Sequence, residues 1–267
     1  MLKSVWINEL TWEDIANYLS NDDMVILPIG STEQHGPCGP LGVDTYAAIA
    51  IAEDAAIKTN VLVTPPLWYG DSPHHLGFPG TISLKPETLI AIVKDIVHSL
   101  ARNGFKKFII VNGHKGTNLA ALTIACRVLK EYDLPNIQIV LTDPLFLSTN
   151  AFKIKETNEH HAGELEISHV WYKYPNLIAI DKLSSEEVDL EKIYSKFIQK
   201  DLFGKGKPVV EMFWNSYEQK MFAPTGSFSP SNSASPEKGK IYHENMVNNL
   251  SEFILWFKKH KKMEVTN

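Results

Sequence analysis

Hydrophobic residues along the chain form short continuous runs, separated by longer stretches in which apolar positions recur at helical spacing. Runs of four to six residues rich in valine, isoleucine and leucine are typical of strands that are buried on both faces of a sheet. They predict four strands, at Met24 to Ile29, Val61 to Pro66, Phe108 to Val111 and Ile137 to Leu141.

The stretches between and after these runs predict helices, because apolar residues return about every three or four positions. The predicted helices cover residues 44–58, 85–103, 118–132, 163 or 164 to 174, 185–200 and 243–258. Asp44 stands where a helix N-cap would stand. Residues 226–240 (GSFSPSNSASPEKGK) are rich in serine, proline and glycine but lie between ordered segments, so they are predicted to be a packed loop or lid.

The alternation of strands and helices predicts an α/β fold with a mainly parallel sheet that is covered on both faces. Functional sites of such sheets lie at the carboxyl ends of the strands. Nothing near the middle of the sequence has the composition of a linker, so residues 1–267 are expected to form a single domain.

Composition narrows the range of partners. The formal net charge of −5 and the sequence pI near 6.1 give no basic field for nucleic acid, so a small molecule is the expected partner. Two cysteines, Cys38 and Cys126, are too few for a disulfide framework and favour a reducing compartment. No apolar run reaches the roughly 18 residues of a membrane span, and residues 1–20 lack a signal-peptide pattern, so a cytoplasmic, non-membrane protein is expected.

The first candidate ligands, Glu33, His35 and Asp44, lie between the first predicted strand and its helix. One imidazole and two carboxylates suit Zn²⁺, Mn²⁺ or Fe²⁺ better than Ca²⁺. Because Glu33 and His35 are two residues apart, their side chains project to the same side of an extended segment. The alternative is a solvated polar loop in which Asp44 is an ordinary helix cap.

His114 occupies the same strand-to-helix position in a later unit, within the sequence Asn112-Gly113-His114-Lys115-Gly116. Its flanking glycines allow close approach of the backbone and a sharp turn. Two such connections meet at one edge of a parallel sheet, so His114 is a further candidate ligand, with a purely structural histidine as the alternative.

A third cluster, residues 160–166 (HHAGELE), precedes and enters a predicted helix. If that helix begins near Gly163, Glu166 lies in its first turn, where the helix dipole favours a carboxylate. Glu164 and Glu166 point to different sides of a helix, so at most one faces the site, and we favour Glu166. A solvated acidic turn is the alternative interpretation for Glu164 and His160.

Taken together, histidines and three carboxylates on separate connections suggest a binuclear metal centre, in which Asp44 could bridge the ions. In such centres two metals roughly 3.5–4 Å apart share a water, lower its pKa towards neutrality and polarise the bond under attack. A neighbouring histidine then carries the proton to the leaving group.

These residues stand in five ordered motifs that resemble the creatininase family of amidohydrolases. The motifs are Gly30 to Pro37 (GSTEQHGP) with Asp44, Pro73 to Ser83 (PHHLGFPGTIS), Asn112-Gly113-His114, His161-Ala162-Gly163 with Glu166, and Pro230 to Gly239 (PSNSASPEKG). The resemblance extends from residue 5 to residue 258 and implies a three-layer α/β/α sandwich, commonly assembled as a homo-hexamer. It also implies hydrolysis of amide-type bonds in small, often cyclic molecules.

Carried over by position, the resemblance assigns two ligand sets, Glu33–Asp44–His114 and His35–Asp44–Glu166. It makes His161 the catalytic proton shuttle, and it offers Ser72, His75 and Lys115 as substrate contacts. The cofactor expected is two divalent ions per chain, Zn²⁺ first, with Mn²⁺ or Fe²⁺ as alternatives because such ligand sets accept several ions.

The sequence departs from family members that act on creatinine. By resemblance, those members have an acidic ligand two residues after the equivalent of His114, where this chain has Gly116. They also have a tryptophan shortly before the shuttle histidine, where this chain has Asn158. Lys115 also replaces the small or aromatic residue that is usual after the metal-binding histidine. Creatinine itself is therefore not the expected substrate, and Glu166 is expected to supply the missing acid.

The leading hypothesis is a metal-dependent amidohydrolase acting on a C–N bond of a small, cyclic amide or N-acyl compound. Hydrolysis of a cyclic keto-polyol such as 3-dehydro-scyllo-inosose is an alternative, because Asn158 and Lys115 would suit a hydroxyl-rich substrate. A peptide-trimming enzyme and a metal-binding scaffold without catalysis are the remaining hypotheses.

Overall fold

The computed structural model describes residues 2–148, 151–193 and 213–260. Its centre is a sheet of four strands, β1 (Met24–Ile29), β2 (Leu62–Val63), β3 (Lys107–Asn112) and β4 (Gln138–Thr142). The strands lie in the order β2–β1–β3–β4, and every neighbouring pair is parallel. The parallel sheet predicted from the sequence is confirmed.

Helices cover both faces of this sheet. The α-helices of the described residues are α1 (Trp12–Leu19), α2 (Val43–Thr59), α3 (Pro86–Arg102), α4 (Asn118–Val128), α5 (Pro144–Leu147), α6 (Glu164–Lys173), α7 (Leu190–Ile193), α8 (Ser216–Phe222) and α9 (Pro236–Lys259). Within the described ranges, no helix is long and apolar enough to cross a membrane.

Successive side chains of the central strands enter different cores, since they point to opposite faces of the sheet. Met24 and Ile26 of β1 pack in a core formed with α2 and α9. Val25 and Leu27 pack in a second core, formed with α1, α3 and α4. The layers are therefore helix, sheet and helix, as the three-layer sandwich requires.

Two predicted elements differ in the first half of the chain. β2 is shorter than the predicted strand 61–66, because Pro65 and Pro66 have no N–H group to donate to a neighbouring strand. Asp44 is not the N-cap of its helix, which is Gly42; Asp44 lies in the first turn, buried. The helix dipole at that turn still favours its carboxylate.

Two predicted elements also differ in the second half. The predicted helix 185–200 is wrong at its start, because α7 begins at Leu190 and the preceding residues run alongside residues 228–231, with Val188 N–H bonded to the Phe228 carbonyl at 3.0 Å. Residues 194–200 of that prediction lie outside the described residues. The predicted loop 226–240 ends early, since α9 begins at Pro236 and Ser235 caps it.

Candidate metal centre

The five candidate ligands come together at the carboxyl ends of β1 and β3. Glu33 and His35 lie between β1 and α2, Asp44 in the first turn of α2, His114 just after β3 and Glu166 in the first turn of α6. The first four are buried, and the side chain of Glu166 is 31% exposed. The site thus lies where the parallel sheet predicts, with one ligand reaching solvent.

Glycines allow the two connections to touch. A Cβ atom on Gly113 would lie 1.9 Å from the carbonyl oxygen of Asp44, and one on Gly30 would lie within 2.4 Å of three atoms of Thr45. Any side chain at these positions would push β3 or β1 away from the start of α2. The close approach brings His114 to Asp44.

Asp44 is shared by two groups of donor atoms. Its Oδ2 lies 3.2 Å from His114 Nδ1, which is itself 3.3 Å from Glu33 Oε2. Its Oδ1 lies 3.2 Å from His35 Nε2, which is 3.9 Å from Glu166 Oε2. Both triads have the spacing of metal ligands, and they are the two sets that the family resemblance implies.

Four polar atoms of the cluster are buried and lack a hydrogen-bond partner. Both carboxylate oxygens of Glu33, His35 Nε2 and Asp44 Oδ2 are buried and have no hydrogen-bond partner. Buried polar atoms without partners are rare and need an explanation. Donors about 2.0–2.2 Å from a shared tetrahedral ion lie roughly 3.3–3.6 Å apart, so the separations of 3.2 and 3.3 Å fit a divalent cation, whereas the 3.9 Å between His35 and Glu166 is somewhat longer.

In His35 and His114, the ring nitrogen that points away from the cluster lies close to a backbone carbonyl oxygen. His35 Nδ1 lies 3.2 Å from the carbonyl oxygen of Glu33, and His114 Nε2 lies 3.1 Å from that of Asp71. Because a carbonyl only accepts, each of these nitrogens carries the proton. The other ring nitrogens, His35 Nε2 and His114 Nδ1, therefore face the carboxylates, which is how histidine ligands are usually oriented.

Charge is balanced within the metal-free cluster by protons on the histidines. Burial alone would lower the pKa of His35, but Asp44 outweighs it and raises the pKa to about 9. Burial would also lower the pKa of His114, but Glu33 and Asp44 outweigh it and raise that pKa well above its ordinary value. The carboxylates therefore need positive charge beside them, and either protons or cations can provide it.

Glu166, not Glu164, faces the cluster. Glu164 is fully buried, and its Oε2 accepts hydrogen bonds from Glu156 N and Thr157 N at 2.9 and 3.0 Å. Its Oε1 lies 2.6 Å from Lys238 Nζ. All of these contacts fix the start of α6, and none lies at the candidate metal centre.

His161 lies beside the cluster with its ring against two other imidazoles. Its centroid is 4.6 Å from that of His35 and 4.3 Å from that of His75. Nε2 lies 2.9 Å from the Gln34 carbonyl oxygen, so it carries the ring proton, and the lone pair of Nδ1 lies 3.8 Å from Glu33 Oε1. Burial, reinforced by the charge of His35, holds the pKa of His161 well below its usual value.

The three predicted substrate contacts occupy different surroundings. Ser72 is fully buried and lies 3.5 Å from His114 Nε2, while His75 is buried between Glu33 and two glutamines. Lys115 is half-buried, and burial lowers the pKa of its ammonium group. Substrate contact by these residues stays a prediction.

Sequence reasoning missed three residues of the site. His74 lies half-buried with its ring centroid 6.4 Å from that of His114. Glu159 is buried and accepts a hydrogen bond from Leu165 N at 2.9 Å, which holds the first turn of α6. Gln219 is fully buried against His75. Only His74 carried a signal, since it belongs to the motif PHHLGFPGTIS.

Comparison with known proteins gives a family match over nearly the whole chain. Residues 8–254 match the family model described as creatininase, creatinine amidohydrolase. The creatinine amidohydrolase of Pseudomonas putida is 28% identical over 271 residues, 95% of this chain and 97% of that protein. The 3-dehydro-scyllo-inosose hydrolase of Thermotoga maritima is 34% identical over 181 residues, which are 65% of this chain and only 58% of that protein.

Solved structures of creatininases have the same fold. A crystal structure of creatinine amidohydrolase gives a TM-score of 0.79 at 24% identity, covering 97% of this chain and all of that chain. A manganese creatininase gives 0.77 at 25% identity, and a variant in a Zn–Zn form gives 0.78 at 26%, with the same 97% coverage of this chain.

Proposed function

Since this chain belongs to the creatininase family of hydrolases, we propose that it is a metal-dependent amidohydrolase with two divalent ions, held by Glu33–Asp44–His114 and by His35–Asp44–Glu166. The observation that carries the proposal is the pair of donor triads sharing Asp44, with four buried donor atoms left without hydrogen-bond partners. Zn²⁺ and Mn²⁺ are the first candidates, because structures of related creatininases contain them.

When bound, the two ions would acidify a shared water and polarise the bond to be broken. The chain's own residues supply the proton transfer. His161 is neutral and presents the lone pair of Nδ1 towards Glu33, while its Nε2 proton is held by the Gln34 carbonyl. It can therefore accept a proton at Nδ1 and return it to a leaving nitrogen, which is general acid–base catalysis.

The proposed substrate is a small, cyclic amide or N-acyl compound that is cleaved at a C–N bond. Support comes from the near full-length match to a creatinine amidohydrolase. Creatinine itself is not proposed, because Gly116 stands two residues after His114, where family members that act on creatinine have an acidic ligand.

A second candidate is hydrolysis of a cyclic keto-polyol such as 3-dehydro-scyllo-inosose. The Thermotoga maritima relative, which has this activity in its name, is 34% identical over the region it shares with this chain. Half-buried Lys115, next to His114 in the chain, would suit a hydroxyl-rich molecule, because buried polar groups discriminate strongly for hydroxyl groups that pair with them. Asn158 donates through Nδ2 to Glu187 Oε1 at 2.6 Å.

A substrate screen decides between these candidates. The metal-loaded protein would be incubated with cyclic amides, formamides and inososes, and product would be followed by mass spectrometry. Turnover of an amide that is lost on chelation and restored by Zn²⁺ or Mn²⁺ supports the first candidate. Turnover of inososes alone supports the second, and metal binding with no turnover of any class supports a non-catalytic scaffold.

A further inference from the structure

A buried chain of polar side chains connects α8 to the candidate metal centre. Gln219, which is fully buried, lies with Nε2 2.7 Å from His75 Nδ1. Gln34 Nε2 lies 2.8 Å from the same ring nitrogen. On the other side of the ring, His75 Nε2 lies 3.3 Å from Glu33 Oε1. The ring thus stands between two amides and a candidate ligand.

The orientation of both amides is set by neighbours that can only donate or only accept. The Gly36 N–H donates to Gln34 Oε1 at 2.9 Å, and Gln34 Nε2 donates to the Gly226 carbonyl at 3.0 Å. The Trp214 indole N–H donates to Gln219 Oε1 at 3.3 Å. If oxygen and nitrogen were exchanged in either amide, its NH₂ group would face the N–H of Gly36 or of Trp214. The NH₂ groups are therefore the ends that face His75.

The tautomer of His75 follows from these two amides. With N–H groups of both glutamines directed at Nδ1, that nitrogen must present a lone pair, and the ring proton lies on Nε2. A proton on Nδ1 would face two donors at 2.7 and 2.8 Å. Gln34 Nε2 is also 2.9 Å from His161 Nε2, but its hydrogens serve the Gly226 carbonyl and His75.

We propose that Gln219 is a positioning residue of the metal centre, which fixes the ring of His75 with Nε2 3.3 Å from Glu33 Oε1. This leaves Glu33 Oε2, 3.3 Å from His114 Nδ1, as the oxygen that faces the ion site of Glu33, Asp44 and His114. The inference deepens the proposed function and depends on it. Partners that orient ligands in this way typically change metal affinity about 10–100-fold when they are lost.

Metal affinity tests the proposal. Gln219→Leu keeps the size of the side chain but removes both polar ends, and Gln34 still donates to His75, so we expect about 10-fold weaker binding of one of the two ions. Gln219→Glu places an acceptor where the donor stands and keeps the acceptor for Trp214, so a loss nearer about 100-fold is expected. Both are measured by competition for Zn²⁺ with a chromophoric chelator.

A double-variant cycle separates positioning from a general loss of structure. Combining Gln219→Leu with His75→Leu should weaken binding no further than His75→Leu alone, because both act on Glu33 through one ring. If the loss of metal affinity in the double variant equalled the product of the two single-variant losses, the proposal would be overturned. Met221→Leu, at an 82% exposed position of the same helix, is the matched control and should bind both ions as the parent does.

The proposal can also be tested without metal, by measuring which ring nitrogen of His75 carries the proton. Long-range ¹H–¹⁵N correlation spectra, assigned with His75→Leu, should show Nδ1 unprotonated in the parent and altered by Gln219→Glu. If Gln219→Leu does not fold, Gln219→Glu, which keeps the shape and the Trp214 hydrogen bond, carries the test.

The outcomes separate this inference from the proposed function. An unaltered protein that binds no transition metal overturns the proposed function. An unaltered protein that binds two ions, with Gln219→Leu and Gln219→Glu binding both within about two-fold, overturns only the role of Gln219.

Discussion

Replacing Lys238 by methionine is expected to destabilise the chain by leaving a buried carboxylate partly unpaired. Lys238 Nζ lies 2.6 Å from Glu164 Oε1 and 2.6 Å from Glu156 Oε1. It also donates to the Ser233 carbonyl at 2.8 Å. Glu164 is fully buried at the first position of α6, and the side chain of Lys238 is only 18% exposed, so water replaces the ammonium group poorly.

The magnitude follows from the burial of the two partners. The side chain of Glu156 is 66% exposed, so its half of the network contributes at most about 1 kcal/mol. Breaking a buried pair such as Lys238–Glu164 typically costs about 3–5 kcal/mol. Three donors, from Glu156 N, Thr157 N and Thr157 Oγ1, still stabilise the other oxygen of Glu164, so a loss near about 3 kcal/mol is expected.

Urea unfolding of the metal-free protein measures this loss, and Lys240→Met is the matched control. Lys240 lies on the same helix, is 57% exposed and is 3.9 Å from Glu244, so its loss should change the free energy of unfolding by about 0.5 kcal/mol or less. A Lys238→Met variant within about 1 kcal/mol of this control would refute the reasoning from burial. Glu164→Gln combined with Lys238→Met should recover part of the loss, since no buried charge then remains unpaired.

Three further predictions concern the metal centre. Asp44→Asn should lose both ions and Glu166→Gln only one, because Asp44 belongs to both triads and Glu166 to one. Elemental analysis of the purified variants checks this, and equal metal losses in the two variants would contradict the shared role of Asp44. His161→Gln should lower kcat by about 10²–10⁴-fold at unchanged metal content, and unchanged turnover would remove its proton-transfer role. Metal binding at pH 7 should release at least two protons per chain, because the pKa of His35 is raised to about 9, that of His114 is also raised, and burial raises the pKa of Glu166 to about 7. Binding should weaken as the pH falls below about 9. Calorimetry in buffers of different ionisation enthalpy checks this, and pH-independent affinity would contradict it.

The sheet and the meeting of the ligands could be predicted because both depend on local signals. Residues 24–29 and 108–112 are buried, and strands that are buried on both faces have continuous apolar runs that can be recognised without knowing the neighbouring strands. A strand followed by a helix then places the residues in between at the carboxyl edge of the sheet. Glu33 and His114 could therefore be expected side by side, although 80 residues of the chain lie between them.

The parts that could not be predicted depend on contacts between distant segments. Gly239 belongs to a loop by composition, but a Cβ atom there would lie 1.9 Å from the Ser168 carbonyl, so the glycine serves the close crossing of α6 and α9. Pro236 and Ser235 begin α9 as an N1 proline and an N-cap, which is a signal that the serine-rich composition obscured. Gln219 gives no sequence signal at all, because its partner His75 is 144 residues away.

The most direct test of the central claim is a crystal structure of the protein purified without chelator and loaded with Zn²⁺, with anomalous data collected at the zinc edge. Two peaks about 3.5–4 Å apart are expected in each chain, one on either side of Asp44. One should contact Glu33 and His114 and the other His35 and Glu166, at roughly 2.0–2.2 Å. Fully loaded crystals with no peak at Asp44, or with zinc held only elsewhere on the chain, would contradict the account.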